Sequence, residues 1–375
     1  MPINVRQIEK PDSGAWNQRV ESVPEGTLHQ STHLEDFHKV TGGGHRPVYL
    51  LAEDENGRVL GQLAMLRGFF VAPELIARPW LKNFLPWCGR LLRTYTWTQG
   101  PLVFEVSRHA EVFAALLAGA DALAGRDGCM VREASAPVYF DATRDTMAQR
   151  AFEAAGFARQ RRATFCVDLT QTPETLWERL KPAARKNLRK LMAAEELVVS
   201  PLETESDLEA YWQMLRETHR RDDRALAYRS LEDLAESFWR RPHALGLLRG
   251  ILVRTREGAP VAGLLYRCYN GWIQELGVAY TDFSLQQKIY GQDLIKWEII
   301  RQGQLQGARR YDLMGVEVDS PDPKKRGIYQ FKEKWGGQLV EFGVYNKTYS
   351  SWKAELLRCG TSVARRLRGR ARERG

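Results

Sequence analysis

The sequence predicts an α/β protein of two related units in tandem, each a mixed, splayed sheet flanked by helices. Three observations predict it: a strand–turn–strand pattern occurs twice, a long helical stretch follows each copy, and each half closes on a short helix ending in glycine. Residues 48–66 read as two strands around Asn56-Gly57, a strong hairpin signal, and residues 250–266 repeat the construction around Glu257-Gly258. Both second strands carry a glycine, Gly61 and Gly263. The helical stretches follow at about 107–125 and 284–302, and the closing helices run from Met147 to Phe157 and from Gly327 to Gly337. A seam near 157–175 divides the 375 residues into a first domain at 1–160 and a second at 161–350, with a C-terminal helix and Arg-rich tail at 351–375.

Composition narrows the class. Apolar residues make up 43% and charged residues 27%, as in ordinary globular proteins. No apolar run approaches the roughly 18 residues of a membrane span, and the first residues lack the apolar core of a signal peptide. The five cysteines are odd in number, widely spaced and free of any C-x-x-C, which predicts a reducing, cytoplasmic setting without disulfides or structural zinc. His29 and His33 stand four apart with His38 nearby, but no third ligand is placed beside them, so no metal is expected.

Charge is uneven. The chain carries 55 Lys+Arg against 46 Asp+Glu, a net +9, and residues 365–374 contribute six arginines against one acid. Such a tail is either a solvated terminus or an electrostatic contact with nucleic acid or an anionic membrane surface. A second basic cluster lies within an element. Thr172-Pro173-Glu174 is a helix start, and Trp177, Leu180, Ala184, Leu188 and Leu191 recur at helical spacing, with Pro182 dividing two helices. Lys181, Arg185, Lys186, Arg189 and Lys190 are not interrupted by any acid, a pattern suited to a phosphate backbone as well as to a solvated face. Residues 69–104 interleave Phe69, Phe70, Trp80, Phe84, Trp87, Tyr95 and Trp97 with Arg78, Lys82, Arg90 and Arg93. They read as core and loop, or as a patch for peripheral contact with the inner membrane.

The order of elements resembles two GNAT-type acyltransferase domains. That fold splays its central strands and cradles the coenzyme A pyrophosphate on a glycine-rich helix start. The best match, Lys288-Ile-Tyr-Gly291-Gln-Asp293, sets a carboxylate where a small residue is usual, which disfavours a pyrophosphate there. Paired units without that motif resemble the Fem family of aminoacyl-tRNA-dependent peptidyltransferases. Three stretches carry the resemblance: WNQRVESVPEGTLHQSTHLEDFHKVTGG from Trp16, FCVDLTQTPETLWERLKPAARKNLRKL from Phe165, and QLQGARRYDLMGV followed by GIYQFKEKWGG.

The resemblance implies an enzyme that moves an amino acid from aminoacyl-tRNA to an amine acceptor, with no cofactor beyond the donor itself. It places Phe331 and Lys332 at the reacting ester, where a fixed ammonium stabilises the oxyanion. It implies a phosphate-bearing acceptor, a UDP- or lipid-linked cell-wall precursor, held by Arg229, with Arg220 and Arg221 nearby and His38 or Lys39 from the opening segment. The basic helix at 181–190 would then meet the tRNA. Departures also stand: Leu34 replaces a family tryptophan, and Ala134, Cys129, Gln274 and Leu276 fall where the acceptor pocket is otherwise polar. Two other readings stay open, an acyl-CoA-dependent N-acyltransferase and a non-catalytic module that binds tRNA or membrane. Asp222, Asp223 and Asp312 could serve as a general base but read equally as caps and turns.

Overall fold

The computed structural model describes residues 2–35, 45–69, 93–222, 226, 228, 230–353 and 355. In chain order the elements are β1 (Asn4–Ile8), α1 (Ser13–Glu21), β2 (Arg46–Glu53), β3 (Val59–Phe69), β4 (Arg93–Trp97), β5 (Leu102–Val103), α2 (His109–Arg126), β6 (Val131–Ser135), α3 (Ala142–Ala154), β7 (Ala158–Asp168), α4 (Pro173–Arg179), α5 (Pro182–Ala194), β8 (Leu197–Pro201) and α6 (Glu205–Arg221). They continue with α7 (Leu231–Leu234), α8 (Arg240–Ala244), β9 (Leu248–Thr255), β10 (Pro260–Tyr269), β11 (Trp272–Tyr280), α9 (Asp282–Gln286), α10 (Gly291–Leu305), β12 (Arg310–Asp312), α11 (Pro323–Glu333) and β13 (Gln338–Thr348).

Two compact units result, one of residues up to Arg161 together with those from Phe342 onward, the other Arg162–Glu341. Residues 342–350, assigned from sequence to the second domain, therefore belong with the first. The cause is strand pairing: Val344–Thr348 lie antiparallel to Ser135–Val131 of β6.

In the first unit the strands run β1-β2-β3-β4-β6-β13, with β5 on β3. The β2–β3 turn closes as its residues dictate, with Asp54 Oδ1 accepting from the N–H groups of Asn56 and Arg58 and Gly57 taking φ 77°. Helix α2 buries Val112, Phe113, Leu116 and Leu117 in a core with Leu50, Leu63 and Met65. Gly61 allows that approach, since a Cβ there would lie 2.6 Å from Val112 Cγ1.

The second unit repeats the device. Its order is β7-β12-β11-β10-β9-β8. Gly263 on β10 makes room for α6, a Cβ there falling 2.9 Å from Tyr211. Pro182 opens α5 after α4 has ended at Arg179, as its missing N–H requires. The helix expected at 284–302 is instead two, α9 and α10. Lys288 between them takes φ 55°, and Gly291 starts the second helix against Val261 and Ala262. Strands β11 and β12 are parallel for only three pairs, ending at Gln274 opposite Asp312. Beyond that point β12 stops while β11 continues to Tyr280, and the sheet opens.

Candidate active site

Where β11 parts from β12 the second unit holds a cavity of about 520 Å³. Its walls are Glu275, Val278 and Tyr280 from β11, Gly291, Gln292, Asp293 and Lys296 from α10, and Lys324, Ile328, Phe331 and Lys332 from α11. Helix α11 is set by its own start signal: Asp322 caps the N–H of Lys324 at 2.8 Å and Pro323 fills the first turn. Phe331 and Lys332 then fall in its last turns, at the cavity.

Lys332 Nζ donates to the carbonyls of Met314 and Gly315 at 2.8 and 3.1 Å. Those carbonyls belong to a turn in which Met314 has φ 60°. Asp312 holds the turn, accepting from Met314 N–H at 2.8 Å, from Thr164 Oγ1 and from Gln274 Nε2. Burial lowers the pKa of Lys332; Glu275 and Asp312 act against this, while Lys296 adds to it. Burial raises the pKa of Asp312, and its hydrogen bonds and Lys332 counter the rise. Phe331 packs edge-on to Trp335, and the Lys334 ammonium stands 4.4 Å over the Phe331 ring.

Two further buried groups complete the walls. Glu275, 5% exposed, pairs with Lys296 at 2.8 Å and accepts from Tyr311 Oη. Asp293, 1% exposed, is held by Lys334 Nζ at 2.7 and 2.9 Å and by Asn187 Nδ2. The carboxylate that the sequence set unfavourably at this helix start is thus neutralised by Lys334. Gln292 Nε2 reaches two sheet carbonyls, Gly263 and Ala279, each at 2.9 Å.

The structure brings some predicted residues together and disperses others. Lys332 and Phe331 share the cavity. Arg221 does not line it; its guanidinium stands 4.3 Å over the ring of Tyr280, a lining residue, and pairs with Asp282, which also holds Arg220. Asp222 lines it and pairs with Lys324 at 2.7 Å. Arg229, His38 and Lys39 lie outside the described residues, as do Asp223, the arginines at 365–374 and the aromatic stretch 70–92.

On the basic helices, Lys181 pairs with Glu333, Arg185 donates to Glu178 O, and Arg189 lies 5.6 Å over Trp177. Lys186, Arg189 and Lys190 are exposed on α5, opposite its buried Ala184 and Leu188. Sequence reasoning missed Glu275, Lys296, Tyr311 and Lys334. The available signals were a carboxylate amid apolar residues in Trp272-Ile-Gln-Glu275-Leu and a lysine on the apolar face of Leu294-Ile295-Lys296.

The open sheet and the chamber beside it define a GNAT-type domain, and residues 179–333 match the family model described as an acetyltransferase (GNAT) domain. Across the chain the fold is that of FemX: its crystal structure superposes with a TM-score of 0.68 at 16% identity, covering 90% of this chain and 96% of that one. L-PGS from Bacillus licheniformis gives 0.53 at 13% identity over 93% and 96% of the two chains. The C-terminal domain of a putative lysylphosphatidylglycerol synthetase from Agrobacterium fabrum gives 0.52 at 11% over 93% and 97%. No curated protein matches the sequence. No described helix is long and apolar enough to cross a membrane.

Proposed function

We propose that the chain is an aminoacyltransferase that moves an amino acid from aminoacyl-tRNA to an amine acceptor, forming a peptide bond without the ribosome. The observation that carries the reading is Lys332, a half-buried lysine fixed by two carbonyls on the wall of the cavity, with Phe331 beside it. The acceptor nitrogen attacks the ester carbonyl, a tetrahedral oxyanion forms, and the bond to the ribose oxygen breaks. The nitrogen's proton passes to that oxygen. An ammonium already in place stabilises the oxyanion without reorganisation. The ester is an activated acyl group, so the scheme calls for no protein nucleophile and no cofactor. Exposed Lys186, Arg189 and Lys190 suit a polyanionic donor. For the acceptor we propose a UDP- or lipid-linked cell-wall precursor, with Arg221 among the residues that meet its phosphates and any membrane contact peripheral.

A second reading, an acyl-CoA-dependent N-acyltransferase, is favoured by the match to a GNAT acetyltransferase model and by the start of α10, which opens on the same cavity without a side-chain cap. Incubation with radiolabelled aminoacyl-tRNA or acyl-CoA and a panel of amine acceptors, followed by mass spectrometry, separates the two. We expect product from charged tRNA; turnover of acyl-CoA alone would establish the second reading instead.

A further inference from the structure

We infer that Glu275 is the receptor for the α-ammonium of the donor's amino acid, so that the cavity selects aminoacyl groups over plain acyl groups; this rests on the donor proposed above. Glu275 is the first residue of β11 beyond the ladder to β12, where the sheet opens. Its register partner on β10 is Tyr266, and the register shifts immediately afterwards, so that Leu265 faces Gly277. Such a bulge re-aims the side chains beside it. The carboxylate is almost wholly buried, yet it lines the cavity.

Its two partners both engage one oxygen: Lys296 Nζ and Tyr311 Oη meet Oε1. Oε2 accepts no hydrogen bond from any described residue. A carboxylate can accept at about four lone-pair sites, and one clamped at a single oxygen presents the other in a fixed direction. The chemical complement is a cationic N–H donor.

Geometry says which cation. Lys332 lines the same cavity, and Glu275 comes first among the charges that act on it. With the Lys332 ammonium at the ester oxygen, the donor's α-ammonium would lie one carbon from the reacting carbonyl, within the cavity that Glu275 also lines. An acyl group lacking that nitrogen would close Oε2 away from water with nothing to pair it. A polar site rejects an analogue strongly on that ground.

The test uses the full chain and two short RNAs ending in CCA, each bearing a 3′-amide in place of the ester. One amide is glycyl and the other acetyl, so they differ by the α-amino group alone. Calorimetry at pH 6.5 keeps that group charged. We expect the glycyl RNA to bind roughly 10- to 100-fold more tightly, the size of a lost charge-assisted hydrogen bond. Glu275→Gln should abolish the preference, so that the glycyl and acetyl RNAs bind alike. Should that variant fail to fold, Glu275→Gln with Lys296→Met removes both buried charges together and carries the same expectation. Equal binding of the two RNAs by the wild-type chain overturns the inference and leaves the donor assignment standing. Binding of neither RNA overturns both.

Discussion

Lys332 is held by carbonyls rather than by a carboxylate, and that choice has consequences for its chemistry. A carboxylate partner would cancel its charge; two carbonyls fix its position and leave the charge available for the oxyanion of the proposed mechanism. Lys332→Ala should lower kcat by about 100- to 1,000-fold, the usual effect of deleting one oxyanion donor. Affinity for the tRNA should stay unchanged, as a binding titration run beside the rate measurement would show. The pH dependence follows from burial, which favours the neutral amine. The folded pKa is lowered below the ordinary lysine value, so activity should persist at neutral pH and fall as pH rises through that lowered value. In the proposed mechanism Asp312 is a positioning residue: it fixes the turn whose carbonyls hold Lys332 and supports its positive charge. Asp312→Asn should move the alkaline limb of the rate profile to lower pH, a shift that a merely structural role would not produce.

At the scale of elements, one carboxylate ties three helices together. Asp293 in the first turn of α10 receives Asn187 from α5 and Lys334 from just past the end of α11. Breaking such a pair on one side leaves an uncompensated buried charge. Lys334→Met should therefore cost about 3–5 kcal/mol, and adding Asp293→Asn should recover much of it, as read from urea unfolding. Helix α5 has a second face, and there Lys186 and Lys190 are exposed. Changing both to glutamate should lower the slope of log affinity for tRNA against log salt by about one for each lost phosphate contact. Much at this scale was legible in the sequence, because turns and helix starts are local: Asn56-Gly57, Thr172-Pro173 and Pro182 each act on their immediate neighbours. The break at Lys288 was not legible. It depends on Gly291 packing against Val261 and Ala262, some thirty residues earlier in the chain.

At the scale of the whole chain, the tandem construction could be read from two hairpins and two glycines, since each glycine does the same packing task in its own unit. Two features could not, for one reason. Residues 344–348 join the first unit by pairing with β6 and by packing Tyr345 on Phe152, and the Glu275–Lys296–Tyr311 cluster gathers from three elements. Both depend on contacts between residues distant in sequence, which no local pattern records. A buried group of the same kind links stability to acid. His109 begins α2 in the core of the first unit, 2% exposed, stacked on Phe113 and 3.2 Å from Tyr139 Oη. Burial, with Arg144 adding to it and Asp141 opposing, pushes its pKa down to about 4. The unfolded chain, with an ordinary histidine near 6.5, binds the proton first. Stability is thus fully present above about pH 6.5 and is lost as pH falls toward 4, on the order of 2–3 kcal/mol from this group. His109→Gln cannot titrate and retains a hydrogen-bond partner for Tyr139. Its unfolding free energy should therefore change less between pH 7 and pH 4.5 than that of the wild type, measured by denaturant melts at each pH. Equal slopes in the two proteins would place the acid sensitivity elsewhere in the chain.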